Sequence, residues 1–254
     1  MTTLEFQICS DIHLEYYDKK QTPETIKFED IISPAYPNSI LILAGDIGHV
    51  SNTVWQAFTK YVSANWQHVI YVLGNHEYYS NSKDMTKLLN AYTTYLEQYT
   101  NIHLLNRNKL KIGEYDILGV TMWTHNEYSV VTQINDFKQI KMHNEAGHLK
   151  SINLTQYNEL HTQDKTWLFA NIDPSRKTIV VTHFPLTHNG VNHPKYAEQK
   201  ASICNYYANE FHHSLLTAYN PCPENQLICI AGHTHFNYDF VKDNIRYIAN
   251  CYCD

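Results

Sequence analysis

A short apolar run at residues 68–73, which ends in Gly74-Asn75-His76-Glu77, constrains this chain more than any other stretch. Its length and its Val and Ile content are typical of a buried strand. The glycine ends the strand, and an amide, an imidazole and a carboxylate follow at once. Ligands of open α/β sheets bind outside the carboxyl ends of the strands. The stretch therefore predicts a functional site where this strand ends.

Four further, mostly apolar runs end in the same manner. They cover residues 4–10, 39–44, 177–182 and 226–231 and are typical of buried parallel strands. Metal-competent side chains follow them: Asp11 and His13, Asp46, His183, and His233 and His235. Each is weak by itself, because such residues are common in turns. With Asn75 and His76, they place two carboxylates, one amide and five imidazoles at one edge of a predicted parallel sheet.

Hydrophobic periodicity predicts the connecting elements. Apolar residues at helical spacing indicate helices over 51–66, 82–98, 155–170 and 203–217, with Ser82 as a candidate cap of the second. The turn at Gly113-Glu114 predicts a hairpin that opens a second sheet, and the pair Asp243-Asn244 predicts a closing hairpin. There is no internal repeat and no linker composition. We expect one domain over 1–254, with loop insertions near 124–151 and 186–224.

Composition narrows the class of protein. A chain of 254 residues with 43% hydrophobic content can bury a sizeable core. Its formal net charge of −6 argues against general electrostatic binding to nucleic acid or to an anionic membrane. No signal peptide and no membrane span are recognisable. The 6 cysteines form no CxxC pair, and Cys251 and Cys253 share one face of a predicted terminal strand. We interpret them as buried thiols of a reducing compartment and expect a cytoplasmic protein.

The clustered side chains suggest a metal centre. Imidazole with carboxylate suits Mn, Fe, Zn or Ni, and the lack of cysteine disfavours a structural zinc site. The set is too large for one ion, whereas two divalent metal ions that share a bridging carboxylate would use all of it. Such a pair lowers the pKa of a bridging water and holds the oxygens of a phosphoryl group during in-line attack.

The blocks DIH, GD, GNHE, H and GHTH, each after a strand, resemble the calcineurin-like metallophosphoesterase superfamily. The resemblance runs from Asp11 to His235 and implies a four-layer α/β/β/α sandwich of two mixed sheets flanked by helices. It implies a dinuclear metal centre with manganese favoured, and these ligands: Asp11, His13 and His235 for the first ion, Asn75, His183 and His233 for the second, and Asp46 as the bridge. His76 would be the catalytic residue, which stabilises charge and protonates the leaving oxygen. Glu77 has no ligand role in the family, and we interpret it as structural.

The resemblance implies a phosphohydrolase that cleaves a phosphodiester or a small phosphomonoester by attack of a metal-bridging hydroxide. Two departures disfavour a phosphoprotein phosphatase: no arginine follows the Gly45-Asp46 block, and Leu14 stands where those enzymes have glycine. Asp11 stands where lariat-debranching members have cysteine. The Gly-His-Thr-His block looks more like compact bacterial-type phosphodiesterases. The alternatives are a phosphoprotein phosphatase or a nuclease of the same superfamily, or a non-catalytic binding module on the same scaffold.

Specificity is expected to reside in the loops 124–151 and 186–224. Four side chains there or beside the site are candidates for substrate contacts or for packing: Tyr78, Tyr79, His125 and Asn205. We expect all three histidines of the first loop to be exposed: His125, His143 and His148. A cluster of lysines in the same loop is interpreted as a solvated face: Lys138, Lys141 and Lys150. The expected partner is a small phosphoester substrate. We expect no binding to a membrane, and binding to nucleic acid is disfavoured.

Overall fold

Four parallel strands form the first sheet in the computed structural model, which describes residues 4–19, 22–196, 205–219 and 226–252. They are adjacent in chain order: β1 (Phe6–Cys9), β2 (Ile40–Ala44), β3 (His68–Val72) and β4 (Ile102–Leu104). The connecting helices are α1 (Phe28–Ile31), α2 (Thr53–Asn65) and α3 (Met85–Leu96). Parallel pairing requires such crossovers, so this half of the chain alternates strand and helix.

The second sheet has six strands in the order β11-β12-β10-β9-β6-β5 and is mixed. Its strands are β5 (Asn108–Ile112), β6 (Tyr115–Gly119), β9 (Lys177–Val181), β10 (Leu227–Ile230), β11 (Tyr238–Lys242) and β12 (Ile245–Ala249). A small separate hairpin pairs β7 (Lys141–His143) with β8 (Leu149–Ser151). The helices of this half are α4 (Asp136–Gln139), α5 (Leu154–Asn171) and α6 (His212–Tyr219).

Side-chain alternation along the strands builds the layers. On β2, Ile40 and Ile42 point into a core between the sheets that also contains Ile117, Ile179 and Val181 of the second sheet. The intervening residues point the other way, because successive side chains of a strand face opposite sides. They pack on the helices: residues of β2 and β3 on α2 and α3 in one cluster, and residues of β9 and β10 on α5 and α6 in another. The predicted four-layer sandwich is confirmed, although the first sheet is wholly parallel and only the second is mixed.

The predicted helices over 51–66, 82–98 and 155–170 are confirmed, but the cap of the second is wrong. Asp84, not Ser82, caps α3, because its side chain accepts a hydrogen bond from the backbone N–H of Lys87. The predicted helix over 203–217 is interrupted, and residues 203–204 lie outside the described residues. The backbone N–H groups of Asn209 and Phe211 bind the carbonyls of Pro185 and Leu186, so 208–211 cannot continue a helix.

The segment 124–151 is more ordered than its polar sequence indicates. It contains α4 and the β7–β8 hairpin. An isolated β-bridge between Ile140 and Tyr79 attaches it to the loop after β3. As expected, its histidines are exposed: His125, His143 and His148. Both predicted hairpins are present, and Asp243 and Asn244 have the positive φ of 49° and 62° that such a turn requires.

Three cysteines are buried, as predicted: Cys9, Cys229 and Cys251. The others, Cys204, Cys222 and Cys253, lie outside the described residues. The terminal strand ends earlier than expected, at Ala249. Cys251 instead forms an isolated β-bridge, by backbone pairing, with Ser10, the residue after β1. None of the helices within the described ranges has the length and hydropathy to cross a membrane.

Candidate metal centre

The seven side chains predicted as metal ligands lie together, but they come from two sheets. Strands β1, β2 and β3 of the first sheet end in Asp11 and His13, Asp46, and Asn75, whereas β9 and β10 of the second end in His183, His233 and His235. The prediction of one parallel sheet edge is therefore wrong. The carboxyl ends of both sheets meet because the loops are joined directly. The backbone N–H of His233 donates to Asp11 Oδ1 at 3.0 Å, which links β10 to β1.

The backbone itself directs these side chains. Five of the seven predicted ligands adopt the left-handed region: Asp11 (φ 56°), His13 (53°), Asp46 (54°), His233 (68°) and His235 (50°). This conformation is uncommon for residues other than glycine, and it concentrates at functional sites because surrounding structure must hold it. Gly74 and Gly232 permit the close approach of the loops. A Cβ on Gly74 would overlap Asp46, and one on Gly232 would overlap Asp11.

Potential ligand atoms form two separate groups of predicted ligands. Asp11, His13 and His235 offer atoms that all lie within 4.8 Å of one another, and so do Asp46, His183 and His233. Asp46 Oδ2 is 3.3 Å from His183 Nε2 and 3.9 Å from His13 Nε2, so this oxygen lies between the groups. A third such group contains His13, Asp46 and His76.

The donor atoms fit cations better than they fit one another. The Nε2 atoms of His13 and His235 are 3.3 Å apart, and His235 Nε2 is 3.4 Å from Asp11 Oδ1. The Nε2 of His233 is buried and has no hydrogen-bond partner among the described residues. A buried polar atom without a partner is costly in free energy. Lone pairs that converge in this way suit divalent ions.

Hydrogen bonds on the far ring nitrogens orient the imidazoles. His183 Nδ1 donates to the carbonyl of Ala44 at 2.9 Å, which leaves its Nε2 as the atom that faces Asp46 and Asn75. The Nδ1 of His13 donates to Glu15 Oε1 at 3.1 Å. Partners of this kind fix the tautomer and the ring orientation of metal-binding histidines.

Glu15 is a site residue that the sequence did not predict. Its Oε1 accepts from His13 Nδ1 and also from His76 Nδ1, each at 3.1 Å. Its other oxygen, Oε2, is buried without a hydrogen-bond partner in the described structure. Burial raises the pKa of Glu15, but the two imidazole hydrogen bonds outweigh this and lower it. The only sequence signal is its position two residues after His13.

Asp136 is a second residue that the sequence did not predict, since it lies in the segment 124–151. It is fully buried on α4 and accepts from Asn75 Nδ2 at 2.9 Å and from the Tyr79 hydroxyl at 2.7 Å. Because the amide nitrogen of Asn75 is directed at Asp136, its Oδ1 faces the site, 3.0 Å from His183 Nε2. The Tyr79 ring lies 4.3 Å from the ring of His76.

The seven predicted ligands, His76 and Glu15 form one cluster. Its carboxylates set the pKa values of its imidazoles. Burial lowers the pKa of His76, but Asp46 and Glu15 outweigh this and raise it to about 9. Burial raises the pKa of Asp46, but His183 and His76 hold it well below its ordinary value. Burial and the neighbouring His183 hold the pKa of His233 well below its ordinary value, which favours the neutral imidazole that a metal ligand must be.

Glu77 is structural, in line with the interpretation of the sequence. It is fully buried and accepts hydrogen bonds from the backbone N–H groups of Asp46, Ile47 and Gly74 at 2.8–2.9 Å, and from the Tyr71 hydroxyl. One carboxylate thus joins the loops after β2 and β3.

Replacing Glu77 with alanine is expected to destabilise the fold by about 3 kcal/mol or more, because it leaves several buried N–H groups unpaired. Thermal and urea unfolding of the metal-depleted protein measure this effect. Glu159→Ala, which removes an exposed glutamate on α5, is the matched control and should change stability by less than about 0.5 kcal/mol. Equal stability of the two variants would contradict the role given to Glu77.

Two cavities adjoin the cluster, and His235 lines both. The smaller has a volume of 210 Å³ and is lined by His76 and Tyr79 among others, which places Tyr79 as predicted beside the site. The larger has a volume of 420 Å³ and lies on the side of Asp11 and His13. The other candidates for substrate contact do not line them: Tyr78 is buried against Trp123, His125 lines a separate cavity, and Asn205 lines neither of the two.

Comparisons with known proteins agree with this geometry. The calcineurin-like phosphoesterase family matches residues 5–237. Uncharacterized protein L509 of Acanthamoeba polyphaga mimivirus is 25% identical over 258 residues, which cover 95% of this chain and 88% of L509. The crystal structure of Phosphopantetheinyl Hydrolase (PptH) from Mycobacterium tuberculosis has the same fold, with a TM-score of 0.67 and 16% identity over 98% of this chain and 89% of that one. The chain therefore belongs to the calcineurin-like phosphoesterase family and is a metal-dependent hydrolase of phosphoesters.

Proposed function

We propose that this chain is a dinuclear metal phosphohydrolase that cleaves a phosphodiester or a small phosphomonoester. The observation that carries the proposal is the pair of donor groups, Asp11 with His13 and His235, and Asp46 with His183 and His233, each within 4.8 Å. Asn75 Oδ1 joins the second group through its position beside His183 Nε2. The shared position of Asp46 Oδ2 supports its role as the bridge.

Each residue of the site has a distinct task. When bound, two divalent ions supply positive charge to the phosphoryl oxygens and lower the pKa of a water. His76 lies beside the ligands, with Nε2 4.0 Å from Asp46 Oδ2, and it lines the smaller cavity. From there it protonates the leaving oxygen. A non-catalytic module on the same scaffold is less well supported, because such a module has no use for His76 or for the carboxylates that position it.

The proposal is tested by metal removal and reconstitution. Protein treated with a chelator is expected to lose hydrolysis of p-nitrophenyl phosphate and bis(p-nitrophenyl) phosphate and to regain it with Mn²⁺. Calorimetric titration should show two ions bound per chain. Full activity with one ion per chain would refute the dinuclear centre. Absence of hydrolysis of both esters across Mn²⁺, Fe²⁺, Zn²⁺ and Ni²⁺ would refute the phosphohydrolase.

Glu15→Gln is expected to lower kcat by roughly 10- to 100-fold, since removing a carboxylate that orients a ligand or a catalytic imidazole typically has an effect of this size. The amide still accepts one hydrogen bond but lacks the negative charge that faces the Nδ1 atoms of both His13 and His76. The measurement is the rate together with the metal content. Glu29→Gln, at an exposed position in α1, is the control. A rate equal to that of the unmodified protein would contradict the assignment.

A further inference from the structure

We propose that the substrate is a phosphodiester, and that the substituent retained on phosphorus carries an aromatic ring held in the larger cavity. This inference rests on the phosphohydrolase proposed above and selects among its substrates. It follows from the position of the donor cluster between two cavities, from the rings that line the larger one and from the charged side chains around both.

The cluster opens on two sides. His235 lines both cavities, while Asp11 and His13 line only the larger and Asp46, Asn75 and His76 only the smaller. A phosphoryl group held at the cluster therefore has space on either side of it. A diester has two substituents and can fill both spaces, whereas a monoester has one substituent and leaves one space to water.

The position of His76 decides which substituent leaves. The smaller cavity, of 210 Å³, contains His76 together with polar side chains such as Asn135 and Gln133. The group protonated by His76 leaves from this side. Water forms the new bond to phosphorus, the P–O bond to the leaving substituent breaks, and its oxygen takes the proton. The products are an alcohol and a phosphomonoester that keeps the second substituent.

The larger cavity suits an aromatic ring. It has a volume of 420 Å³ and its lining includes Ile12 and the rings of Tyr16, Tyr17 and Tyr252. Tyr16 is 64% exposed, it lines this cavity, and its ring lies 5.6 Å from the ring of His13. Stacking on such rings is a common way to bind aromatic groups and nucleobases.

The charged side chains favour a monoanion. Among the described residues that line the two cavities there is no arginine, and Lys195 is the only lysine. The cluster itself contains three carboxylates: Asp11, Asp46 and Glu15. A phosphomonoester carries a charge of about −1.5 to −2 near neutral pH and is usually gripped by arginine. A diester carries a single negative charge, so its binding depends less on an arginine side chain.

Three esters with the same leaving group test the proposal. They are phenyl p-nitrophenyl phosphate, methyl p-nitrophenyl phosphate and p-nitrophenyl phosphate, assayed with Mn²⁺-loaded full-length protein. We expect kcat/KM to fall in that order, with the phenyl diester roughly tenfold above the methyl diester if one ring stacks. A monoester that equals or exceeds both diesters would overturn this proposal and leave the phosphohydrolase intact. Hydrolysis of none of the three would overturn both.

Tyr16 provides the structural control. Tyr16→Ala should reduce the phenyl-over-methyl ratio towards one through KM, and Tyr16→Phe, which keeps the ring, should preserve the ratio. Tyr128→Ala removes a tyrosine that is 83% exposed and lines neither cavity, and it should leave the ratio unchanged. Calorimetry with the products gives a second readout. Phenyl phosphate should bind more tightly than methyl phosphate to the unmodified protein and not to Tyr16→Ala. Equal ratios in all variants would overturn the aromatic part of the proposal.

Discussion

Asp46→Ala is expected to abolish the binding of at least one metal ion and to lower hydrolysis by about 10³-fold or more, since loss of Lewis-acid stabilisation is worth several kcal/mol. Asp46 has the most central position in the cluster. Its Oδ2 lies 3.3 Å from His183 Nε2, 3.9 Å from His13 Nε2 and 4.0 Å from His76 Nε2. Its Oδ1 accepts a hydrogen bond from the backbone N–H of His76 at 2.9 Å, so alanine also removes a contact that holds the loop after β3.

Asp46→Asn separates these two effects. Asparagine keeps an oxygen for the His76 N–H but removes the negative charge, so its fold should survive while metal binding and rate fall. The measurements are metal content, the melting temperature of the metal-free protein and the rate on an aryl phosphoester. Asp173→Asn, at a surface turn, is the control. Two bound ions and an unchanged rate in Asp46→Asn would exclude Asp46 as a bridging ligand.

His76→Gln is expected to lower kcat by about 10²- to 10⁴-fold while both metal ions remain bound, because general acid catalysis typically contributes this much. The loss should depend on the leaving group. An alkoxide needs a proton as the P–O bond breaks, whereas p-nitrophenolate is stable without one. The decrease should therefore be larger for an alkyl ester than for a p-nitrophenyl ester of the same retained substituent.

The comparison between leaving groups decides what His76 does. An equal loss on both esters would assign His76 to charge stabilisation and remove its role as the proton donor. An unchanged rate on both would remove it from the catalytic machinery. His148→Gln, at an exposed position in the β7–β8 hairpin, is a suitable control.

The strands and the major helices could be predicted from the sequence because their signals are local. After their first residues, the runs 39–44 and 68–73 are continuously apolar, and both form buried strands between two layers. The polar residues after these runs lie together for the same reason, since strand ends carry them to a shared edge. Their roles as ligands stay a prediction.

The partition into two sheets could not be predicted, because apolar strands of either sheet look alike in sequence. β1 and β9 both read as buried strands, yet one belongs to each sheet and their ends meet only through tertiary contacts such as His233 with Asp11. Asp136 escaped prediction for a similar reason. It lies in a polar stretch with no period, and only its buried contacts with Asn75 and Tyr79 give it a place in the site.

The left-handed backbone at the ligand positions has a consequence for the choice of ion. Folding alone sets the directions of those side chains, so an incoming cation has little chain entropy left to remove. Exchange of one divalent ion for another then requires no loop to unfold. Selectivity must come from ligand chemistry and from the ions that the surroundings supply, and occupancy is expected to track availability.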